Sequence, residues 1–434
     1  MVMFIDNTKD SLFKDVMRRL PSLSCVGNKV VSDSVSNIIH GIRTRGDEAL
    51  LEYTKQFDNF DAGSVSKIVL SEYDMRNAKS QVDAELREAI TLAATRIRKY
   101  QQDIMPCSSD KVCFDNDGIS AGWRWSPVDR AGIYVPGGKA VYPSSVLMTA
   151  IPAIVAGVRD VVMCTPALGG VCNPVLLFAA SVAGVNTIYC VGGSQAIAAM
   201  AIGTDTVRKV DKIAGPGNAY VSEAKRQLYG EVGIDMIAGP TEIMVLADST
   251  SNPEWAAIDL LSQAEHDEMA RVILVTDSRD VGNKIAEYVE RYINSGTKRS
   301  DIIRKSWDTY GTIVVVDDMV TQGVAIVNMI APEHLSISTA DPESLLPLIR
   351  NAGAIFLGQD TPQAIGDYIA GPDHVLPTSG SARFSSALSC MDFMKHSSII
   401  RCNRGQFSGI GEKASLIAIE EDFPAHALSI NMRM

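Results

Sequence analysis

A chain of 434 residues exceeds what one hydrophobic core usually organises, and its 46% apolar and 21% charged residues exclude disorder and predict two or more folded units. The formal charge of -11 excludes nonspecific nucleic-acid binding, which needs clustered Lys and Arg to displace counterions from phosphates. Export and membrane insertion are not expected either: residues 1–20 mix Asp6, Asp10, Lys14, Asp15, Arg18 and Arg19 among their apolar residues, and the longest apolar stretch, residues 146–158, holds Thr149 and Pro152. The eight cysteines are scattered without a Cys-x-x-Cys pair, so they read as reduced thiols of a cytoplasmic protein.

Residues 1–30 are expected to form a helical segment, and the pattern stays helical to about Tyr100. Val35, Ile38, Ile39 and Ile42 recur at helical spacing, and Arg45-Gly46-Asp47 marks a break. After a hydrophilic stretch, residues 108–118, strands alternate with helices: residues 132–135, 161–164 and 187–191 in one run, then 272–275, 312–316, 335–337 and 354–357 in a second. This βαβ rhythm predicts an α/β protein of two Rossmann-like open parallel-sheet domains, with a helical N-terminal segment and a C-terminal arm. The expected division groups residues 31–130 with 242–380 in one domain and takes 131–241 as the second. Residues 381–434 form the arm, irregular apart from a helix near Lys413 to Glu420; too small to bury a core, it is expected to pack on something else.

In an open parallel sheet, ligands gather at the carboxyl ends of strands, where Gly lets backbone amides approach phosphates. Three strands of the first run end that way: Pro136-Gly137-Gly138-Lys139, Gly192-Gly193-Ser194-Gln195 and Gly215-Pro216-Gly217-Asn218. One such loop is an ordinary tight turn; three within one domain point to a nucleotide, although no Gly-x-Gly-x-x-Gly or Walker motif is present.

Four of the six histidines, His266, His334, His374 and His426, lie in polar company, whereas His40 and His396 read as structural or solvent-facing. Ser251-Asn252-Pro253 reads as the cap and first-turn Pro of a helix that buries Ala257, Leu260, Leu261 and Ala264. Gln263 and His266 then share a face at i and i+3, a spacing that lets two side chains reach one ion. Glu333 and His334 follow Pro332 in a loop entering a strand; a regular strand would turn them to opposite faces, so a joint role requires irregular backbone. Asp367 and His374 bracket a loop after a short helix started by Thr361-Pro362. Taken singly, each of these signals is more often structural than functional.

Together, Arg45-Gly-Asp-Glu-Ala-Leu50, Tyr134-Val-Pro-Gly-Gly138, Gly192-Gly-Ser-Gln195, Lys212-Ile-Ala-Gly-Pro-Gly-Asn218, Ala238-Gly-Pro-Thr-Glu242, Leu261-Ser-Gln-Ala-Glu-His266, Ala331-Pro-Glu-His334, Gly366-Asp-Tyr368 and His374-Val-Leu-Pro-Thr378 resemble the histidinol dehydrogenase family, in family order. The resemblance implies an NAD-dependent, four-electron oxidation of L-histidinol through L-histidinal to L-histidine, the last step of histidine biosynthesis, with one Zn2+ per subunit. It implies that Gln263, His266, Asp367 and His426 hold the metal and also meet the substrate, and that Glu333 and His334 are the acid/base pair. Tyr134, Gln195 and Asn218 match NAD contacts, which makes residues 131–241 the NAD-binding domain, while Thr241, His334, His374 and Glu421 surround the substrate. A homodimer with shared active sites is implied, residues 381–434 packing on the partner subunit.

Two positions depart from the family pattern: Thr241 stands where many members carry Ser, and Asp373 where they carry Asn. Thr keeps the hydroxyl, but Asp373 adds negative charge beside His374 and favours the alternative, a zinc- and NAD-dependent paralogue oxidising another small alcohol or diol. Glu421, a carboxylate suited to a cationic amine, favours histidinol. A zinc hydrolase using Glu333 on metal-bound water leaves the Gln195 and Asn218 loops unexplained.

Overall fold

The computed structural model describes residues 3–6, 29–106, 111–116, 118–137, 141–296, 298–403 and 405–434. Its frame is two six-stranded sheets and a three-stranded one. The first large sheet has the spatial order Val69–Ser71, Thr187–Tyr189, Asp160–Cys164, Arg130–Tyr134, Lys212–Ala214, Gly233–Ile234. All neighbours are parallel except the edge Val69–Ser71, which runs antiparallel to Thr187–Tyr189. Order proceeds outward both ways from Arg130–Tyr134, so a ligand crevice is expected beyond the carboxyl ends of that strand and of Lys212–Ala214.

The helices Pro143–Ala156, Pro174–Ala183 and Gly193–Ile202 carry no charged side chains, and most of their residues are buried. Helices apolar on every side must be covered by something else. The amphipathic helices Lys29–Arg45 and Ala84–Ile104 do so, bringing Val35, Ile39, Ile42, Ile90 and Ile97 into one core with residues 131–236. This corrects the expected grouping of residues 31–130 with 242–380: residues 29–104 cover the first sheet and donate its edge strand Val69–Ser71. The predicted break between helices does fall at Gly46, whose φ of 53° separates Lys29–Arg45 from Asp47–Phe57.

The second large sheet is wholly parallel, in the order Met3–Asp6, Thr312–Val315, Arg271–Thr276, Glu242–Ala247, His334–Ser338, Ala354–Leu357. Glu242–Ala247, Arg271–Thr276 and His334–Ser338 are buried at every position, as strands covered on both faces must be. Met3–Asp6 is a strand where the sequence predicts helix; it satisfies the otherwise open edge of Thr312–Val315. The remainder of the predicted segment up to residue 28 lies outside the described residues.

The arm is more regular than its sequence suggests. Met394–Cys402 pairs antiparallel with Ile119–Pro127, which in turn pairs with Lys111–Asn116. The helices Ser408–Glu420 and Pro424–Asn431 pack on each other and leave Leu416, Ile417, Phe423, Leu428 and Met432 exposed. Among the described residues no helix is long and apolar enough to cross a membrane.

One loop of the first sheet is pinned from below. Gly215 takes φ +122°, and a Cβ there would lie 2.1 Å from the Tyr134 carbonyl oxygen. Lys225 Nζ donates to the Gly215 carbonyl and to Asp235, each at 2.6 Å, while Gly215 N donates to the other Asp235 oxygen at 2.7 Å. The two charged side chains are 3% and 1% exposed. Replacing Lys225 by Met leaves Asp235 buried without its counter-charge, so a loss of about 3–5 kcal/mol in denaturant unfolding is expected. A loss below about 1 kcal/mol, the range of exposed pairs, would contradict this role.

Candidate active site

A cleft of about 500 Å³ opens where the carboxyl-end loops of the first sheet, at Pro136, Pro216 and Gly217, meet the amino ends of the second, at Thr241, Glu333 and His334. Ala331 ends the helix Val324–Ile330 in a left-handed conformation, φ 53° and ψ 63°, ahead of Pro332. That kink supplies the irregular entry to His334–Ser338 which a joint role of Glu333 and His334 requires. Glu333 Oε2 accepts from Thr241 Oγ1 at 2.7 Å and from Glu242 N at 2.8 Å, and lies 3.5 Å from His334 Nδ1. Nδ1 itself is 3.0 Å from the Glu242 carbonyl oxygen, the geometry of a donated Nδ1–H, while the buried Nε2 has no hydrogen-bond partner.

Charge around this imidazole is lopsided. Burial lowers its pKa, but the carboxylates of Glu333 and of Asp367, whose Oδ1 is 3.7 Å from Nε2, outweigh burial and push it up to about 10. Burial raises the Asp367 carboxyl, yet His334 and His374 beside it leave it below the ordinary carboxylate range. Behind the pair, burial raises Glu242 to about 7, against the pull of Arg271 and with the push of Glu333. A cation in the cleft would meet a strongly negative wall.

The helix predicted to follow Asn252 is Pro253–Ala264, with Asn252 Oδ1 accepting from Glu254 N and Trp255 N. It stops before His266, which is therefore not helical as expected; a turn with His266 N donating to Gln263 O at 3.2 Å still brings the two residues together in the cleft lining. The Gln263 amide nitrogen donates to Thr241 Oγ1, leaving its buried carbonyl oxygen without a partner. Asp367 is anchored in a complementary way: Gln363 Nε2 donates to Oδ2 at 2.8 Å, while Oδ1 faces His334. His374 Nδ1 is 2.9 Å from the Asp367 carbonyl oxygen and its Nε2 is 3.4 Å from Ser145 Oγ. Burial lowers the His374 pKa despite Asp367 nearby.

Thr241, Gln263, His266, Glu333, His334, Asp367 and His374 thus line one cleft. Glu421 and His426 do not: both are exposed on the arm. Among the described residues no three His, Cys, Asp or Glu side chains form a metal-ligand cluster. The donors nonetheless suit a borderline divalent ion: an unpaired amide oxygen, a carboxylate oxygen and an imidazole, one ligand short of a tetrahedral set.

Tyr134, Gln195 and Asn218 are not in the lining: they lie at the end of the strand Arg130–Tyr134, in the first turn of Gly193–Ile202 and at the cap of Ala219–Leu228. Tyr134 Oη accepts from Gly193 N at 3.0 Å, and burial pushes its phenol pKa well up. Gln195 is buried at the start of Gly193–Ile202, and Asn218 Oδ1 caps Ala219–Leu228 through Tyr220 N and Val221 N. Gly138 and Lys139 lie outside the described residues. Sequence reading missed Gln363, Ser145 and Arg299. Gln363 is detectable only as the i−4 neighbour of Asp367 on one face, and Ser145 only as a polar residue in an apolar helix; for Arg299, whose buried Nε is unpaired, there is no signal.

Asp373, which sequence reading sets beside His374, is not among the residues lining the cleft. Its Oδ1 accepts from Val375 N at 2.8 Å and its Oδ2 is buried unpaired. Burial, helped by Asp392 and Asp235 and opposed by the Val375 N–H, lifts its pKa well above the ordinary carboxylate range.

The sequence profile of one family, described as histidinol dehydrogenase, matches residues 25–434. The histidinol dehydrogenase of Rhodospirillum rubrum is 49% identical over 404 residues, covering 93% of this chain and 92% of the relative. That of Pseudomonas aeruginosa is 47% identical over 428 residues, covering 99% and 96%. The crystal structure of histidinol dehydrogenase from Elizabethkingia anophelis superposes with a TM-score of 0.93 at 34% identity, over 100% of this chain and 98% of that one.

The Asp373 geometry has a pH signature. A carboxyl whose folded pKa is raised favours the fold while protonated and loses that contribution as pH rises through the folded value. Asp373→Asn, neutral at every pH, should therefore melt higher than the parent at pH 8, by on the order of 2 °C, with a smaller gain at pH 5. An equal gain at both pH values, or a loss only at pH 8, would show that the buried carboxyl is charged.

Proposed function

Because the chain belongs to the histidinol dehydrogenase family, we propose that this cleft performs the family's reaction, NAD-dependent oxidation of L-histidinol through L-histidinal to L-histidine, with Glu333 and His334 as its acid/base pair. The observation that carries the assignment is the pinned His334 ring: Nδ1 is committed to the Glu242 carbonyl, which leaves the unpartnered Nε2 as the proton acceptor. His334 takes the hydroxyl proton while hydride leaves the same carbon for NAD. Glu333, with Oε2 held by two donors, keeps Oε1 to deprotonate the water that adds to the aldehyde; the hydrate then gives its hydride to a second NAD.

Gln263, His266 and Asp367 would hold a divalent cation, zinc by their donor types, with His426 of the partner subunit as a further ligand. Such an ion would supply positive charge to orient the substrate's amine and imidazole and to offset the carboxylates which raise His334. Thr241 and His374, together with Glu421 of the partner subunit, complete the substrate's surroundings, and Tyr134, Gln195 and Asn218 meet the dinucleotide. The exposed apolar residues of the arm helices, with Leu416 at 66% and Met432 at 76%, support a homodimer in which each arm closes the other's cleft. Asp373, the main argument for a different alcohol, lies outside the cleft lining and gives no reason to change the substrate. A soluble cytoplasmic enzyme fits the net charge and the scattered thiols.

Two NADH should form per histidinol consumed, with little free aldehyde. Product counting that gives one NADH and accumulating aldehyde rejects the four-electron reading. Sharing of sites is tested by mixing chains. Gln263→Ala and His426→Ala homodimers should both be inactive, whereas a verified heterodimer carries both defects in one site and none in the other. It should recover about half the wild-type activity per dimer, given independent sites. Heterodimers as inactive as their parents rule out this sharing.

A further inference from the structure

Beneath the dinucleotide loop lies a carboxylate that the reaction scheme leaves unused. Asp58 directly follows the helix Asp47–Phe57, far from Gly192 in sequence, yet it is buried against the start of Gly193–Ile202. Its Oδ2 accepts from Gly192 N at 2.8 Å and from Gln195 Nε2 at 3.4 Å. The loop is shaped around this contact. A Cβ on Gly192 would stand 2.7 Å from Asp58 Oδ1, and Gly193, at φ +63°, gives its N–H to Tyr134 Oη at 3.0 Å. A buried carboxylate at a helix N-terminus is stabilised by the N–H groups it accepts from. Burial raises the Asp58 pKa, and the Gly192 and Gln195 donors oppose that rise.

We infer that Asp58 is a positioning residue for dinucleotide binding: its carboxylate holds the backbone of Gly192 and the amide of Gln195 so that the loop is already set when NAD arrives. One oxygen fixes both the loop's main chain and the end of the Gln195 amide that faces inward, so the carbonyl end is the one left to offer a ribose hydroxyl. Tyr134 holds the neighbouring N–H from the opposite side, and the loop is clamped between them. The inference rests on the reading that Gln195 meets NAD.

The test uses the metal-loaded, full-length enzyme, varying NAD at saturating histidinol and histidinol at saturating NAD. Asp58→Ala should raise the KM for NAD about tenfold, the scale of one lost charge-assisted hydrogen bond, and leave the KM for histidinol within about twofold. Asp58→Asn keeps an acceptor oxygen at the same reach and should stay within about threefold of wild type for both. Added to Gln195→Ala, Asp58→Ala should raise the KM for NAD by less than it does alone, because the two act as one unit. Should Asp58→Ala fail to fold, Asp58→Ser, too short to reach both donors, is read by the same criterion. A folded variant with unchanged KM for NAD, or with both KM values raised alike, overturns the role of Asp58 where Gln195→Ala still weakens NAD. If Gln195→Ala itself leaves NAD binding unchanged, the reading of the loop fails, and this inference with it.

Discussion

Everything in the cleft hangs on one carboxylate oxygen. Glu333 Oε2 takes hydrogen bonds from Thr241 and from the main chain of Glu242, and so staples the entry to His334–Ser338 onto the entry to Glu242–Ala247. The same stretch of Glu242 presents its carbonyl to His334 Nδ1. Two neighbouring parallel strands thereby place an acid and an imidazole side by side at their amino ends, where an open α/β sheet normally carries no chemistry. The usual rule still operates in the first sheet, whose carboxyl-end loops form the opposite wall. Glu333 and His334 on one side and the loops at Pro136 and Gly217 on the other therefore come from different sheets, and the cleft between them is where they meet.

That arrangement concentrates negative charge. Glu333 and Asp367 flank one buried imidazole, and Glu242 lies behind Glu333 with Arg271 as its counter-charge. Burial makes such a set costly unless positive charge enters the cleft. The unpaired Gln263 oxygen and the half-used Asp367 carboxylate face the space where that charge would sit, and a cationic substrate adds to it. The same electrostatics favour a small basic alcohol over a neutral or acidic one.

Local rules of sequence reading worked where the structure is local. Asn252 capping Pro253–Ala264, the break at Gly46 and the alternation of strands with helices were all visible as residue patterns. The cleft residues Gln263, His266, Glu333, His334, Asp367 and His374 were each weak signals alone, and they stood out as a set only through the family resemblance of the motifs that hold them. What escaped was tertiary. Residues 29–104 could be recognised as amphipathic helices, but not which sheet they cover, because periodicity names a buried face and not its partner. Gln363, Ser145 and Asp58 matter through contacts with other elements or through the orientation of one amide. Met3–Asp6 is too short for any period, and its strand state depends on an edge presented by residues 312–315.

That edge pairing also fixes an order of events during synthesis. The strand Met3–Asp6 docks on Thr312–Val315 and must wait for the roughly 300 residues between them to be made. The block around the first sheet, residues 29–236, is made long before then, but its core also takes Val375, Leu388, Cys390 and Phe393 and closes only when those residues have emerged. Contacts of such long sequence separation close late because their loop entropy has to be met first. Partial products of translation that stop before residue 333 therefore hold the carboxyl-end loops of the first sheet without Glu333 and His334.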